Sequence, residues 1–187
     1  FKSSIIQLSF QLINSMNQKT EKSIADSLEV ESALLPHMSY LLQDLWALGS
    51  SIDKIIDLVE KLKFNKNVID FLDLGCGKGA VTIQIASNYG YKGVGIDAMD
   101  DFLQVARQKA TEVGVSDLCD FRNKDILEFT QEAHHFNFVV LASLGGIFGT
   151  NTETIRVLRN QVETGGYLII DDGYLSDKRR LDRKGYD

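Results

Sequence analysis

The chain has 187 residues, 44% hydrophobic and 25% charged, which allows one domain with a sizeable core and excludes disorder as its main state. Its formal net charge of −6 argues against a surface built to neutralise many phosphates, so no nucleic-acid partner is expected. Cys76 and Cys119 are too few and too scattered for a disulfide scaffold or zinc cluster, and no run approaches the roughly 18 to 20 apolar residues of a membrane helix.

Phe1-Lys2-Ser3-Ser4 has no signal-peptide architecture, and with two free thiols the expected location is cytoplasmic, with no membrane partner and no metal. Residues 1–64 hold a single glycine, Gly49, and their apolar residues recur at helical spacing, which predicts an N-terminal helical extension. One helix carries Ile5, Leu8, Leu12, Ile13 and Met16. A second, after a break at Pro36, carries Leu41, Leu42, Leu45, Trp46 and Leu48 and stops at Gly49. A third carries Ile52, Ile55, Ile56, Val59 and Leu62. From residue 65 the period changes. Apolar runs at Val68–Leu74, Gly93–Ile96, Cys119–Arg122, Phe136–Ala142 and Gly166–Ile170 alternate with amphipathic segments at Lys78–Tyr89, Met99–Val113, a short stretch from Ile126, and Thr152–Val162. Regular strand and helix alternation predicts an α/β fold with a doubly wound, mostly parallel sheet, residues 65–187 forming that domain and 1–64 a helical cap.

The most informative segment is Leu72-Asp73-Leu74-Gly75-Cys76-Gly77-Lys78-Gly79, a strand running through a glycine turn into a helix. Glycines let the backbone turn sharply and approach a ligand closely, and the helix amino terminus offers unpaired N–H groups to it. The spacing is G-x-G-x-G rather than the dinucleotide G-x-G-x-x-G, whose third glycine would fall at Ala80, so the loop alone still admits a nicotinamide dehydrogenase. About twenty residues on, Gly93-Val94-Gly95-Ile96-Asp97 ends a strand on a carboxylate able to accept two ribose hydroxyls, or to cap the Met99 helix. Asp125, after the third strand, can accept a proton from an adenine amino group or cap the segment at Ile126.

Together with Ala106-Arg107 and Gly165-Gly166-Tyr167-Leu168-Ile169-Ile170, these pieces resemble the class I S-adenosylmethionine-dependent methyltransferases, with the likeness spanning residues 68–172. The resemblance implies a Rossmann-like sheet of order 3-2-1-4-5 and S-adenosyl-L-methionine as cofactor. It implies that Asp73 and the backbone of Gly75, Cys76, Gly77 and Gly79 face the methionine part, and that Asp97 holds the ribose. Ala98 and Met99 would flank the adenine, Asp125 and the Ile126 amide would read its edge, and Ala142 would be a further cofactor-binding residue. The family's sheet ends in a further two-strand hairpin. Only fifteen residues follow Asp172, so these two strands are expected to be absent from this chain, which reads as part of a longer one.

In an open parallel sheet, ligands bind beyond the carboxyl ends of the strands, which sets His134, His135 and Cys119 at the wrong end and leaves Cys76 as a small packing residue. No Asn/Asp-Pro-Pro-Tyr type motif follows the fourth strand, where the chain reads Ala142-Ser143-Leu144-Gly145-Gly146, so methylation of base amino groups is disfavoured. Candidate general bases are Asp171, Asp172, Tyr174, His37 and Tyr40, and the expected substrate lining is Tyr40, Gln43, Trp46 and Ser143 under a lid hinged at Gly49-Ser50-Ser51. The expectation is therefore an enzyme methylating a small molecule. Alternatives are an RNA or protein methyltransferase and a non-catalytic binding protein of the same fold; back-of-sheet packing or a homodimer contact is the alternative use of the helices.

Overall fold

The computed structural model describes residues 21–22, 24–26, 30–64 and 69–173. The expected Ile5–Met16 helix, Val68 and Tyr174 lie outside them. The chain divides into two compact units, residues 1–41 and 42–187. In the first, a 3-10 helix over Ser32–His37 runs into one α-turn, Met38–Leu41 (α1). Pro36 does not break the chain here as expected; it sits inside the 3-10 helix, a short element that its fixed φ suits.

The second unit holds α2 (Ile52–Lys61), β1 (Asp70–Leu74), α3 (Ala80–Tyr89), β2 (Lys92–Asp97) and α4 (Asp100–Val113). It continues with β3 (Cys119–Asn123), α5 (Ile126–Phe129), β4 (Phe136–Ala142), α6 (Asn151–Arg159) and β5 (Val162–Asp171). The described strands form one sheet in the order β3-β2-β1-β4-β5, every pair parallel. That is the expected Rossmann-like order, with β1 at its centre and buried from Phe71 to Leu74.

Side chains alternate faces along each strand. Phe71 on β1 and Phe138 and Val140 on β4 join Ile55 and Val59 of α2 and Val81 and Ile85 of α3 in one core; the rings of Phe71 and Phe138 stack at 5.0 Å. Leu72, Leu74, Val139 and Leu141 point the other way, to Ile126, Phe129 and Leu158. The α2 helix thus belongs to the core of the sheet unit instead of the helical cap, because Ile55 and Val59 are almost fully buried beside β4.

Two further expectations are corrected. Residues 42–48 are turns, not helix, for a reason that lies in the site below. The α6 helix stops at Arg159, and Val162 already pairs with Phe136 at the start of β5, with an irregularity around the Gly165–Gly166 pair that the sequence pattern mistook for the strand's beginning. Gly165 has φ +84, and a Cβ on Gly166 would stand 2.5 Å from the Asn137 carbonyl.

Candidate functional site

The carboxyl ends of β1, β2 and β4 bring the site together. After Leu74 the chain turns through Gly75, Gly77 and Gly79 with φ +68, +51 and +73, the left-handed region that L side chains rarely adopt. Close packing adds to the requirement at Gly79, where a Cβ would meet Ala106 and Phe121 at 2.8 Å each. Gly79 is the N-cap of α3, so the loop leads directly into unpaired helix amides.

Asp97, half-buried at the end of β2, faces this loop. Its Oδ2 accepts the Gly77 N–H at 2.8 Å and its Oδ1 accepts the Met99 N–H at 2.9 Å. The α4 helix starts after Met99 without a side-chain cap, so Asp97 is not its capping residue. Burial raises the Asp97 pKa, and the amides of Met99, Gly77 and Ala98 pull it back. Asn123, from the end of β3, donates to the Ala98 carbonyl at 2.9 Å and steadies the turn that carries Ala98 and Met99.

Asp73 is 2% exposed and accepts the Thr82 hydroxyl at 2.6 Å. Burial raises its pKa to about 6 against the lowering effect of the Thr82 hydroxyl and amide, while the charge of Asp97 pushes it further up. Asp125 Oδ1 caps α5 by accepting the Leu127 N–H at 2.8 Å. Cys76 is buried among Ile83, Leu103 and Ala106, and its thiol pKa is pushed up by burial, which fits a packing residue rather than a nucleophile.

The segment 42–51 crosses the same edge of the sheet. The Lys78 ammonium, inside the glycine loop and 3% exposed, donates to the carbonyls of Leu42 (2.5 Å), Gln43 (3.4 Å) and Leu45 (2.8 Å). Those carbonyls would have built the expected helix. They are drawn to a buried cation instead, because an ammonium without partners in an apolar interior is far costlier than three lost helical bonds. The Trp46 indole N–H donates to the Lys78 carbonyl at 3.0 Å, and a Cβ on Gly77 would come within 2.7 Å of Leu48. Trp46 therefore lies against the glycine loop, while the Gln43 side chain is exposed.

Ala142 is buried at the end of β4, and the next residue, Ser143, is a non-glycine at φ +56 whose N–H donates to the Asp171 carbonyl at 2.8 Å. Its hydroxyl lies 3.3 Å from the position of a Cβ on Gly49. The Asp171 carboxylate accepts the Ser51 N–H at 2.6 Å, and Asp172 accepts the N–H of its neighbour Gly173 at 2.7 Å. His37 closes the 3-10 helix and Tyr40 is an exposed residue of α1, both in the first unit. Lys78, Thr82 and Asn123 were not singled out from the sequence. A lysine between loop glycines reads as solvated, and only its burial reveals what it does.

His134 and His135 lie at the amino ends of the strands, where His134 stacks on Phe129 at 4.3 Å and meets Gln161 Oε1 at 2.8 Å. A groove of about 450 Å³ opens at that end between Asp70, Lys92, Asp120, Arg122 and His135, on the opposite side from the glycine loop. Among the described residues no cluster of His, Cys, Asp and Glu could hold a metal ion, and no helix is long and apolar enough to cross a membrane.

Residues 65–184 match a family described as a methyltransferase domain. A 2-heptyl-1-hydroxyquinolin-4(1H)-one methyltransferase of Mycobacteroides abscessus is 31% identical over 99 residues, 53% of this chain and 41% of that protein. The uncharacterized protein YjhP of Escherichia coli is 30% identical over 105 residues, 55% of this chain and 41% of its own length. The X-ray structure of YjhP gives a TM-score of 0.55 at 26% identity, covering 63% of this chain and 47% of that one. A methyltransferase of Thiobacillus denitrificans, in complex with S-adenosyl-L-homocysteine, shares the fold with a TM-score of 0.67 at 20% identity, covering 78% and 58% of the two chains. The chain thus spans about two fifths of the length of the curated relatives it matches.

Proposed function

The chain belongs to the methyltransferase-domain family through residues 65–184, and from that premise we propose that it transfers the methyl group of S-adenosylmethionine to an O, N or C nucleophile of a small molecule. The observation that carries this reading is the joint geometry of Asp97 and the glycine loop. The Asp97 carboxylate has about four lone-pair sites, of which the Gly77 and Met99 amides use two, so acceptor capacity remains for a ribose diol at the mouth of the loop. The residues therefore fit a nucleoside cofactor. Asp73 and the backbone from Gly75 to Gly79 take its methionine end, Ala98 and Met99 flank its base, Asp125 with the Ile126 amide reads the base edge, and Ala142 borders the site.

When bound, the cofactor supplies an already activated sulfonium methyl. The protein's part is alignment and exclusion of water. Ser143, held at φ +56 beside Gly49, and the 42–51 segment with Gln43 and Trp46 line the acceptor side. Asp171, with one carboxylate oxygen engaged by Ser51, and Asp172 are the candidates to take a proton from an acceptor that carries one.

The quinolone methyltransferase among the relatives supports a small-molecule acceptor, and the net charge of −6 speaks against nucleic acid. A cytoplasmic location and a homodimer are part of the same reading. The test is to incubate the protein with methyl-labelled S-adenosylmethionine and, in parallel, a small-molecule extract, total RNA and a protein lysate. Label in the small-molecule fraction supports the reading; label in RNA or protein alone overturns the acceptor class.

A further inference from the structure

Lys78 is gripped at both ends by one short segment. Its ammonium holds the carbonyls of Leu42, Gln43 and Leu45 and lies 5.7 Å from the centre of the Phe102 ring, while its own carbonyl accepts the Trp46 indole N–H. All three ammonium protons have acceptors among these carbonyls. Burial lowers the Lys78 pKa and the charge of Asp44 opposes that, so the cation is held by carbonyl dipoles and not by a carboxylate in contact.

From this clasp the chain runs across the sheet's edge. Leu48, at φ +46, lies over Gly77; Gly49, at φ +98, lies beside Ser143; and the Ser51 amide ends the crossing on Asp171 Oδ2. Between the two fastenings the backbone has one turn bond, Ser50 N–H to the Ala47 carbonyl. Leu45 is 54% exposed. The strap is thus fixed by a few polar contacts to a rigid, well-packed sheet, the arrangement expected of a segment that opens locally without global unfolding.

Leu48 occupies the approach to Gly77, the position that the proposed function gives to the cofactor's methionine end. We propose that Lys78 is a positioning residue that clasps the 42–51 strap over the glycine loop, and that release of this clasp sets how fast a nucleoside cofactor enters and leaves. The inference rests on the cofactor reading above. Lys78 offers the cofactor no proton of its own; it acts through Leu48 and the strap.

The test compares the full wild-type chain with Lys78→Met, which keeps the aliphatic stem and removes the charge, and with Lys78→Arg, which restores it. Hydrogen exchange should be at least tenfold faster at the Leu45, Ser50 and Ser51 amides of Lys78→Met, with β1 and β4 amides unchanged. S-adenosylhomocysteine should dissociate at least tenfold faster from that variant in stopped flow, and Lys78→Arg should recover part of both. Strap amides as protected in folded Lys78→Met as in wild type overturn the clasp. Loosened amides with an unchanged dissociation rate overturn the gate. If Lys78→Met does not fold, Trp46→Phe removes the other half of the clasp and should show about a threefold change in both readouts; no change in either overturns the proposal. A wild-type chain that binds no S-adenosylhomocysteine overturns the cofactor reading, and the gate with it, whatever the exchange rates.

Discussion

The Asp97 carboxylate takes the Gly77 amide at 2.8 Å, so the acid that ends β2 also fixes the middle of the loop that follows β1. One side chain, twenty residues away in sequence, ties the two strand ends between which a nucleoside would lie. Asp97→Ala removes the charged acceptor of two amides and the proposed ribose contact together. We expect S-adenosylhomocysteine affinity to fall by about 1 to 3 kcal/mol in calorimetry, the usual range for hydrogen bonds to a charged group. Intact affinity with a lowered melting temperature would leave Asp97 a purely structural fastening.

Gly77 and Gly90 separate backbone strain from site chemistry. Both have positive φ, +51 and +69, but a Cβ on Gly90 meets nothing within 4 Å whereas one on Gly77 drives into Leu48. Alanine at either position should cost about 1 kcal/mol for the left-handed backbone. Only Gly77→Ala should also abolish S-adenosylhomocysteine binding. Equal affinity in the two variants would remove the loop from the site.

Asp73 gives a pH prediction whose sign is fixed by linkage. Its folded pKa, about 6, lies above its ordinary value of 3.8, so the folded state holds the proton more tightly and stability falls as pH rises through that window. A shift of about two units corresponds to roughly 3 kcal/mol, absent below pH 4 and fully developed above pH 6. Asp73→Asn keeps an acceptor for the Thr82 hydroxyl and has no charge to bury. Its stability relative to wild type should rise by up to about 3 kcal/mol between pH 4 and pH 7 in urea titrations, with weaker cofactor binding. A difference that does not change with pH would contradict the assignment of the raised carboxyl to Asp73.

The acidic surface predicts no retardation of duplex DNA or structured RNA in gels at physiological salt. Tight, salt-sensitive binding of RNA would move the acceptor from small molecules to nucleic acid.

The sheet was legible because its central strands are buried on both faces and read as apolar runs with only a few polar residues, and because Gly75, Gly77 and Gly79 punctuate the turn between β1 and α3. What stayed hidden depended on tertiary contacts. Leu41, Leu42, Leu45, Trp46 and Leu48 keep helical spacing, yet the carbonyls between them serve Lys78, a partner more than thirty residues away. The Gly165–Gly166 pair looked like a strand boundary and is an irregularity within β5, since only pairing with β4 distinguishes the two. Asp171 also accepts the Ser51 amide, a contact that no local pattern encodes.

The most direct measurement is calorimetric titration of the full wild-type chain with S-adenosylhomocysteine and, separately, with NAD. The account predicts saturable one-to-one binding of S-adenosylhomocysteine at micromolar affinity and no heat from NAD. NAD binding alone, or no binding of either nucleoside, would contradict it.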